Sequence, residues 1–291
     1  MIRFRKTAVI RLLVLLIAFF ALSSCGLMQP LQAQASVGYE VEATTDLIYY
    51  QGPGFDPHEH ILDVFEPKGL TNAPVLIFIH GGAWISGDKN LYGYLGRTFA
   101  SQGFVTVIIN YRLTPEVMHP GHIQDVARAF AWVYRNIAQY GGNAKEIFVI
   151  GHSAGGHLAA LLALDERYLA AEGLATDLIK GTIPISGVYD LNAIPGLDSV
   201  FTSDPAKRRD ASPVAHVDGQ QPPFLILYAQ FDYPTADFQA AELFNLLQQE
   251  KSEAKLLKIP LKDHITIITS IGQIGDVTTE AIIEFMQAHL F

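Results

Sequence analysis

Three residues that together could activate a nucleophile occur along the chain in the order Ser153, Asp232, His264. Ser153 lies in the stretch GHSAGG at 151–156, surrounded by small residues. A serine hydroxyl is a weak nucleophile at its own pKa and needs a base within hydrogen-bond reach. His264 would take the proton and return it to the leaving group, while Asp232 would hold the imidazole tautomer and stabilise the imidazolium. This set is typical of acyl transfer through a covalent intermediate.

A second stretch, HGGAW at 80–84, is typical of backbone that stabilises a developing negative charge. Its two glycines permit successive N–H groups to point at one place, and we expect the N–H groups of Gly82 and Ala83 to do so. The N–H of Ala154, at the start of the helix that would follow the nucleophile, is the expected third donor. The sequence therefore predicts an oxyanion hole made by Gly82, Ala83 and Ala154.

Hydrophobic patterning predicts the elements that must position these residues. Unbroken apolar runs such as VLIFIH, VTVIIN and FLILYA are typical of strands buried on both faces of a parallel sheet. The predicted strands are 46–50, 61–65, 75–80, 105–111, 147–151, 179–186, 224–230 and 254–259. Apolar residues three or four apart predict helices at 91–101, 122–140, 154–164, 236–249 and 277–290. The alternation predicts an α/β fold, with a mostly parallel eight-stranded sheet and helices on both faces.

The candidate residues all follow predicted strands. Parallel strands align their carboxyl ends at one edge of the sheet, where α/β proteins place their chemistry. The HGGAW stretch, Ser153, Asp232 and His264 each come just after a strand, and their order along the chain is that of an α/β-hydrolase. The combination is far more specific than the G-x-S-x-G pattern alone.

Two other residues compete for the acid and base roles. Asp237 rivals Asp232, but it lies inside the next predicted helix, where a surface position is expected. His289 rivals His264, but it lies in the terminal helix. The sequence therefore favours Asp232 and His264.

Aromatic and histidine side chains near the nucleophile are given other roles. His152 and His157 flank Ser153 and are interpreted as walls of the site or as residues of the helix face, with His152 assigned to the substrate pocket. Trp84 follows the oxyanion loop and is assigned either to a wall of the substrate pocket or to the core. His80 is expected to hold the loop by hydrogen bonding rather than to transfer protons.

Metal chemistry is not indicated. His58 and His60 alternate in the sequence HEH, but no third ligand follows at a plausible spacing, so we predict no metal site and no cofactor. Asp125, with Tyr111 and Arg112, is expected to brace the sheet near the site rather than to react.

The first residues read as a targeting segment. A basic start precedes an apolar run at 12–22, which is too short to span a bilayer and typical of a signal-peptide core. The sequence LSSC that ends at Cys25 resembles a bacterial lipobox, which predicts removal of 1–24 and lipidation of Cys25. The alternative is cleavage after Ala35 and release of the protein. Both interpretations predict export.

Composition limits the remaining possibilities. The 291 residues are 49% hydrophobic, which is enough for one large α/β domain, predicted at 41–291 after a weakly structured tether at 25–40. The net charge is −9, and removal of the leader would take away only basic side chains. A protein with this net negative charge repels the phosphate backbone of nucleic acids, so a nucleic-acid partner is excluded. Membrane contact is expected only through the lipid anchor.

Four stretches together carry a family resemblance. HGGAW, NYRLTPE at 110–116, GHSAGG and SGVYD at 186–190 resemble the hormone-sensitive-lipase-like esterase branch of the α/β-hydrolases, and especially compact bacterial acetyl/feruloyl-esterase-like carboxylesterases. The resemblance covers 47–290. It implies a serine carboxylesterase that acts on a small-molecule ester with short-to-medium acyl or small aromatic groups. A related serine hydrolase of amide bonds, formamidase- or peptidase-like, is the alternative.

The chain departs from the family pattern in two ways. Ala83 occupies a position where many members have a third glycine, which would narrow the acyl pocket. The segment 190–222 reads as a linker, so no large α-helical cap domain is predicted. An open site is therefore expected, and long-chain lipase activity is not.

Overall fold

The structure is a computed structural model that describes residues 38–290. The predicted signal peptide, Cys25 and most of the tether at 25–40 lie outside the described residues. Within the described range, no helix is both long enough and apolar enough to cross a bilayer.

A single sheet of eight strands runs through the described chain, in the spatial order β1-β2-β4-β3-β5-β6-β7-β8. The strands are β1 Val41–Ile48, β2 Ile61–Pro67, β3 Ala73–Ile79, β4 Val105–Ile109, β5 Gly142–His152, β6 Ile179–Ile185, β7 Phe224–Phe231 and β8 Ala254–Asp263. Strand β2 pairs antiparallel with both β1 and β4, and every pair from β4 to β8 is parallel. The predicted mostly parallel, eight-stranded α/β-hydrolase fold is confirmed.

Helices cover both faces of this sheet. They are α1 Gly93–Ser101, α2 Gly121–Asn136, α3 Ala154–Leu164, α4 Glu166–Ala171, α5 Asp198–Phe201, α6 Pro205–Asp210, α7 Ala236–Gln249, α8 Thr266–Thr269 and α9 Val277–Ala288. Single 3₁₀ turns are found at Lys89–Tyr92, Ile137–Tyr140, Thr176–Leu178, Leu191–Ala193 and Pro213–Ala215.

Alternate residues of each central strand enter two separate apolar cores. In β5, Val149 belongs to the core that α2, α3 and α7 cover, whereas its neighbours Phe148 and Ile150 belong to the core under α1 and α9. Because side chains alternate across a strand, a strand buried on both faces must be apolar at every position. This explains the unbroken apolar runs in the sequence.

Two strands begin five residues before the position that the sequence predicts. Strand β1 begins at Val41 rather than at 46, because this edge strand is mostly exposed and carries no apolar run. Strand β5 begins at Gly142 rather than at 147, since its polar first residues pair with β3 through Ala73. Apolar periodicity marks only the buried part of a strand, so pairing at the edges escapes it.

The segment 190–222 contains short helices rather than a cap domain. The longest of them, α6, has six residues, so the described chain carries no large helical cap above the sheet. Arg208 holds the segment together: its guanidinium donates to the carbonyl oxygens of Thr202 and Ile194 and to the carboxylate of Asp198. Phe201 is buried and anchors the segment to the core beside α3.

Candidate active site

Ser153 lies on a sharp turn between β5 and α3. Its backbone has φ 55° and ψ −118°, a conformation that is strained for a residue with a side chain. The turn is possible because its neighbours lack side chains: a Cβ at Gly155 would overlap the carbonyl oxygen of Ile79, and one at Gly151 would overlap that of Gly155. The N–H of Ser153 donates to Ile185 on β6. The strained turn thus holds the hydroxyl at the carboxyl edge of the sheet.

The structure brings the three residues of the predicted triad together. His264 Nε2 lies 3.0 Å from Ser153 Oγ, and His264 Nδ1 lies 2.6 Å from Asp232 Oδ1. With Nδ1–H donating to the carboxylate, Nε2 is left to accept the serine proton. The three residues come from the ends of β5, β7 and β8, which meet at one edge.

Asp232 is held as a carboxylate by several donors. Its Oδ1 also accepts the N–H of Tyr233, and its Oδ2 accepts the N–H of Ala229 at 2.9 Å and the hydroxyl of Ser186 at 2.5 Å. The side chain is 3% exposed. Burial raises the pKa of Asp232, but the hydrogen bonds from His264, Ser186 and Ala229 outweigh it and hold the pKa below its usual value. The acid therefore stays charged opposite the imidazole.

Neither rival residue reaches the site. Asp237 is exposed in the first turn of α7, where its carboxylate accepts the N–H of Phe238. His289 follows α9 and bonds through its two ring nitrogens to Phe285 O and to Glu253. The exposed position of Asp237 is the one that the sequence predicts.

The loop after β3 offers free backbone donors. Gly82, Ala83 and Trp84 all have positive φ, at 124°, 52° and 60°. Gly82 O accepts the N–H groups of Ile85 and Ser86, which closes the turn. Across 38–290, no hydrogen bond uses the N–H of Gly82 or Ala83, so both groups lack a partner within this range. Ala154 N–H is in the first turn of α3, where helical N–H groups lack a partner within the helix.

His80 braces this loop from below. It is fully buried, its Nδ1–H donates to Gly81 O at 2.8 Å, and its own carbonyl accepts the hydroxyl of Tyr111 at 3.0 Å. The two rings stack at 4.5 Å. Burial lowers the pKa of His80 to about 4, so it is neutral near pH 7 and suits the bracing role expected from the sequence.

Trp84 has the core role rather than the pocket role. It is 3% exposed, its Nε1–H donates to His157 Nδ1, and its ring meets Phe201 edge-on. His157 in turn donates from Nε2 to Ala211 O at 2.8 Å. The assignment of Trp84 to a pocket wall is therefore corrected, because the side chain turns inward and ties the oxyanion loop to α3 and to the 190–222 segment.

His152 is also misplaced by the sequence analysis. The sequence predicts a place in the substrate pocket, but the side chain is 4% exposed, and its Nε2–H donates to the backbone carbonyl of His264 at 2.8 Å. His152 ends β5 two residues after Ile150, so alternation along the strand places its side chain on the face of the sheet that α1 and α9 cover.

Ser186 is a site residue to which the sequence analysis gave no role. It opens the SGVYD stretch directly after β6, at the same edge as the triad, and its hydroxyl donates to Asp232. Its position at a strand end was the available signal. What the sequence could not show is that the hydroxyl and the carboxylate, 46 residues apart, point at each other.

His60, in the HEH stretch, contacts the buried carboxylate of Asp125, which is paired with two arginines. His60 Nδ1 accepts the N–H of Asp56, and its Nε2 lies 3.1 Å from Asp125 Oδ1. Arg112 donates to both oxygens of Asp125, and Arg128 donates to one. Burial raises the pKa of Asp125, but the bonds from His60 and Arg112 bring it below its usual value. Within 38–290, no cluster of three or more potential metal ligands is found.

Ser186→Ala tests whether the donor to Asp232 matters. A hydrogen bond to a charged group contributes about 1.5–3 kcal/mol, so kcat/KM for p-nitrophenyl acetate should fall roughly 10- to 100-fold. Ser101→Ala is the control, because the hydroxyl of Ser101 donates to Thr98 O on α1, and its loss should leave the rate unchanged. Equal rates for Ser186→Ala and wild type would contradict this role.

The buried histidines predict a loss of stability in acid. Burial lowers the pKa of His157 to about 3, far below its ordinary 6.5, so below pH 6.5 the unfolded chain binds a proton that the folded protein does not. The free energy of unfolding should therefore fall as pH drops from 6.5 towards 3, by about 1.4 kcal/mol per pH unit for this group. Urea unfolding of His157→Gln between about pH 5.5 and about pH 4.5 should show a slope smaller by that amount. Identical slopes would refute the assignment.

Comparison with known proteins agrees with this geometry. Residues 62–247 match the BD-FAE family. Esterase LipQ of Mycobacterium tuberculosis is 37% identical over 219 residues, 68% of this chain and 51% of LipQ, and the probable carboxylic ester hydrolase LipM of the same organism is 35% identical over 225 residues, 70% and 52%. The chain spans about half the length of these curated relatives. The crystal structure of esterase B from Lactobacillus rhamnosis superposes with a TM-score of 0.79 at 22% identity, covering 97% of this chain and 96% of that one. The chain belongs to the BD-FAE family of α/β-hydrolases.

Proposed function

We propose that the protein is a serine carboxylesterase that hydrolyses short-to-medium acyl or small aromatic esters through an acyl-enzyme. The observation that carries the proposal is the contact of 3.0 Å between His264 Nε2 and Ser153 Oγ, beside two backbone N–H groups without a partner in the described chain. The esterase names of the relatives LipQ and LipM support the same reaction class.

In the first step, Ser153 Oγ attacks the ester carbonyl while His264 Nε2 takes its proton. The negative charge that develops on the carbonyl oxygen would be met by the N–H groups of Gly82, Ala83 and Ala154. Asp232 stabilises the imidazolium that forms, because its carboxylate accepts from Nδ1 and remains charged. The dipole of α3 adds to the stabilisation at Ala154.

The intermediate then collapses, and His264 returns the proton to the leaving alcohol. The acyl group stays on Ser153 until a water, deprotonated by the same imidazole, attacks it. His264 then returns that proton to Ser153 Oγ as the bond between Oγ and the acyl carbon breaks and the acid is released. Each step moves one proton between Nε2 and an oxygen, so the position of the His264 ring governs both half-reactions.

The surroundings of the triad support apolar esters of modest size. Exposed apolar side chains adjoin the site residues in the chain: Ile85 follows the oxyanion loop, Phe231 precedes the acid, and Leu261 and Ile265 flank the base. The 190–222 segment supplies only short helices rather than a cap domain over this edge of the sheet. Apolar groups bordering an open edge suit short-to-medium acyl chains and small aromatic groups.

Ser153→Ala tests the mechanism. Loss of the nucleophile should lower kcat for p-nitrophenyl acetate and butyrate roughly 10⁴-fold or more, while Ser101→Ala stays at the wild-type rate. A Ser153→Ala variant as active as wild type would rule the mechanism out. A wild-type enzyme that prefers formyl amides or aminoacyl amides over these esters would instead favour the amide-hydrolase alternative.

We further propose that the protein is exported and anchored by a lipid on Cys25. The basic start, the short apolar run at 12–22 and the sequence LSSC support this. The anchor is also the only membrane contact proposed.

Cys25→Ser tests the anchor. When the full chain is expressed in a bacterium, wild type should be found in the membrane fraction with the mass of a lipidated, cleaved protein, because the thiol is the acceptor of the lipid. The variant should stay unprocessed and lack the lipid mass. Unchanged processing and fractionation would overturn the anchor, and a mature protein that begins after Ala35 would support release instead.

A further inference from the structure

We propose that His152 is a positioning residue for the reaction: its imidazole fixes the backbone of His264 relative to Ser153, and so sets the distance between the base and the nucleophile. The inference rests on the proposed function only in that His264 acts as the base. It assigns His152 neither proton transfer nor substrate contact.

The first support is the geometry of the contact. The Nε2–H of His152 donates to the carbonyl oxygen of His264 at 2.8 Å, and the two rings lie 4.8 Å apart at 42°. His152 is the last residue of β5, and Ser153 is the next residue along the chain. The donor that holds the base and the hydroxyl that must reach it therefore share one stretch of rigid backbone.

The second support is the exposure of the turn that carries the base. His264 directly follows β8. Leu261, near the end of that strand, is 83% exposed, and Ile265, the residue after His264, is also exposed. Within this turn the hydrogen bonds join residues that are close in the chain: Asp263 Oδ1 accepts the N–H groups of Ile265 and Thr266. The turn is joined to β7 through the pairing of Asp263 with Phe231. The bond from His152 adds a direct link between the main chain of His264 and β5.

The third support is the burial of the imidazole. Gly81 packs so closely on His152 that a Cβ there would lie 2.9 Å from its carbonyl oxygen and 3.0 Å from Nδ1. Burial lowers the pKa of His152 to about 3, with the nearby His264 acting in the same direction. The ring is therefore neutral near pH 7, and its single N–H is used in the bond to His264. A neutral donor can hold the base without competing for its proton.

Small changes in the distance between the base and the nucleophile have a large effect on the rate of the reaction. General-base catalysis requires the nucleophile and base within hydrogen-bond reach, and a displacement of about 1 Å can cost about 100-fold in rate. Removing the donor would free the His264 turn to shift against Ser153, although both side chains of the reaction remain. His152 does not contact the substrate in this assignment, so KM should stay the same.

The experiment compares His152→Phe, which keeps a ring but removes the donor, with His152→Gln, whose side-chain amide can donate from a similar position. Both are made in the full-length protein, and His122→Phe is the matched control, because His122 is buried to the same degree in α2 and does not touch His264. Three quantities are measured: kcat and KM for p-nitrophenyl acetate, the rate at which a p-nitrophenyl alkylphosphonate labels Ser153, and the melting temperature.

We expect His152→Phe to lower kcat and the labelling rate together by roughly 10- to 100-fold, with KM within about threefold of wild type. His152→Gln should recover most of this loss, to within about fivefold of wild type. His122→Phe should leave both rates near wild type even where its melting temperature falls.

Several results would overturn the proposal. Wild-type kcat and labelling in His152→Phe would show that the bond is not needed, and a raised KM with unchanged kcat would make His152 a pocket wall. Equal loss in the Phe and Gln variants, both correctly folded by circular dichroism, would show a steric rather than a donor role. Should the Phe variant fail to fold, the Gln variant alone decides, and a 10-fold slower labelling by it would count against the proposal. If wild type is labelled at Ser153 but hydrolyses no ester, the proposed function fails while the labelling rates still test His152.

Discussion

A close approach in the site, between Gly155 and the end of β3, is the constraint on which the other features depend. There is no room for a Cβ between Gly155 and the carbonyl oxygen of Ile79, so helix α3 begins directly against the strand that leads into the oxyanion loop. Because of this contact, the chain must turn through a left-handed conformation at Ser153. The hydroxyl, the first N–H of α3 and the N–H groups after β3 are thereby brought to one place. Larger residues at this point would push the nucleophile and the oxyanion donors apart.

Electrostatics then decides which groups are charged beside that turn. Asp232 is buried, and burial alone would favour its neutral form, but four donors hold it as a carboxylate. The neighbouring histidines His80, His152 and His157 are buried without comparable partners, and their lowered pKa values keep them neutral. The site therefore contains several imidazoles but places only that of His264 between a carboxylate and a nucleophile. In water-excluded surroundings such fixed partners act more strongly than they would in solvent.

The loop after β3 is also linked to the 190–222 segment. The backbone of Trp84 has a positive φ, and its indole contacts His157 on α3 and Phe201 on α5. His157 continues the connection to Ala211 in the 190–222 segment. Loop geometry and the short helices of that segment thus depend on one packed cluster. A replacement in this cluster would shift the backbone N–H groups of the loop after β3, although none of the cluster's side chains touches the triad.

Sequence alone determined the fold class and the identity of the candidate triad, because both follow from local signals: apolar runs mark buried strands, and chemistry-bearing residues directly after them must share an edge. It also favoured Asp232 over Asp237, and His264 over His289, because both rivals lie in predicted helices. It missed most of β1, since an exposed edge strand has no apolar pattern, and it gave no role to Ser186. Tertiary structure alone decided the functions of Trp84 and His152, two residues beside the catalytic stretches that turn inward rather than towards the substrate. Whether a side chain holds another residue depends on a partner brought near by folding, and for His152 that partner is 112 residues away in the chain.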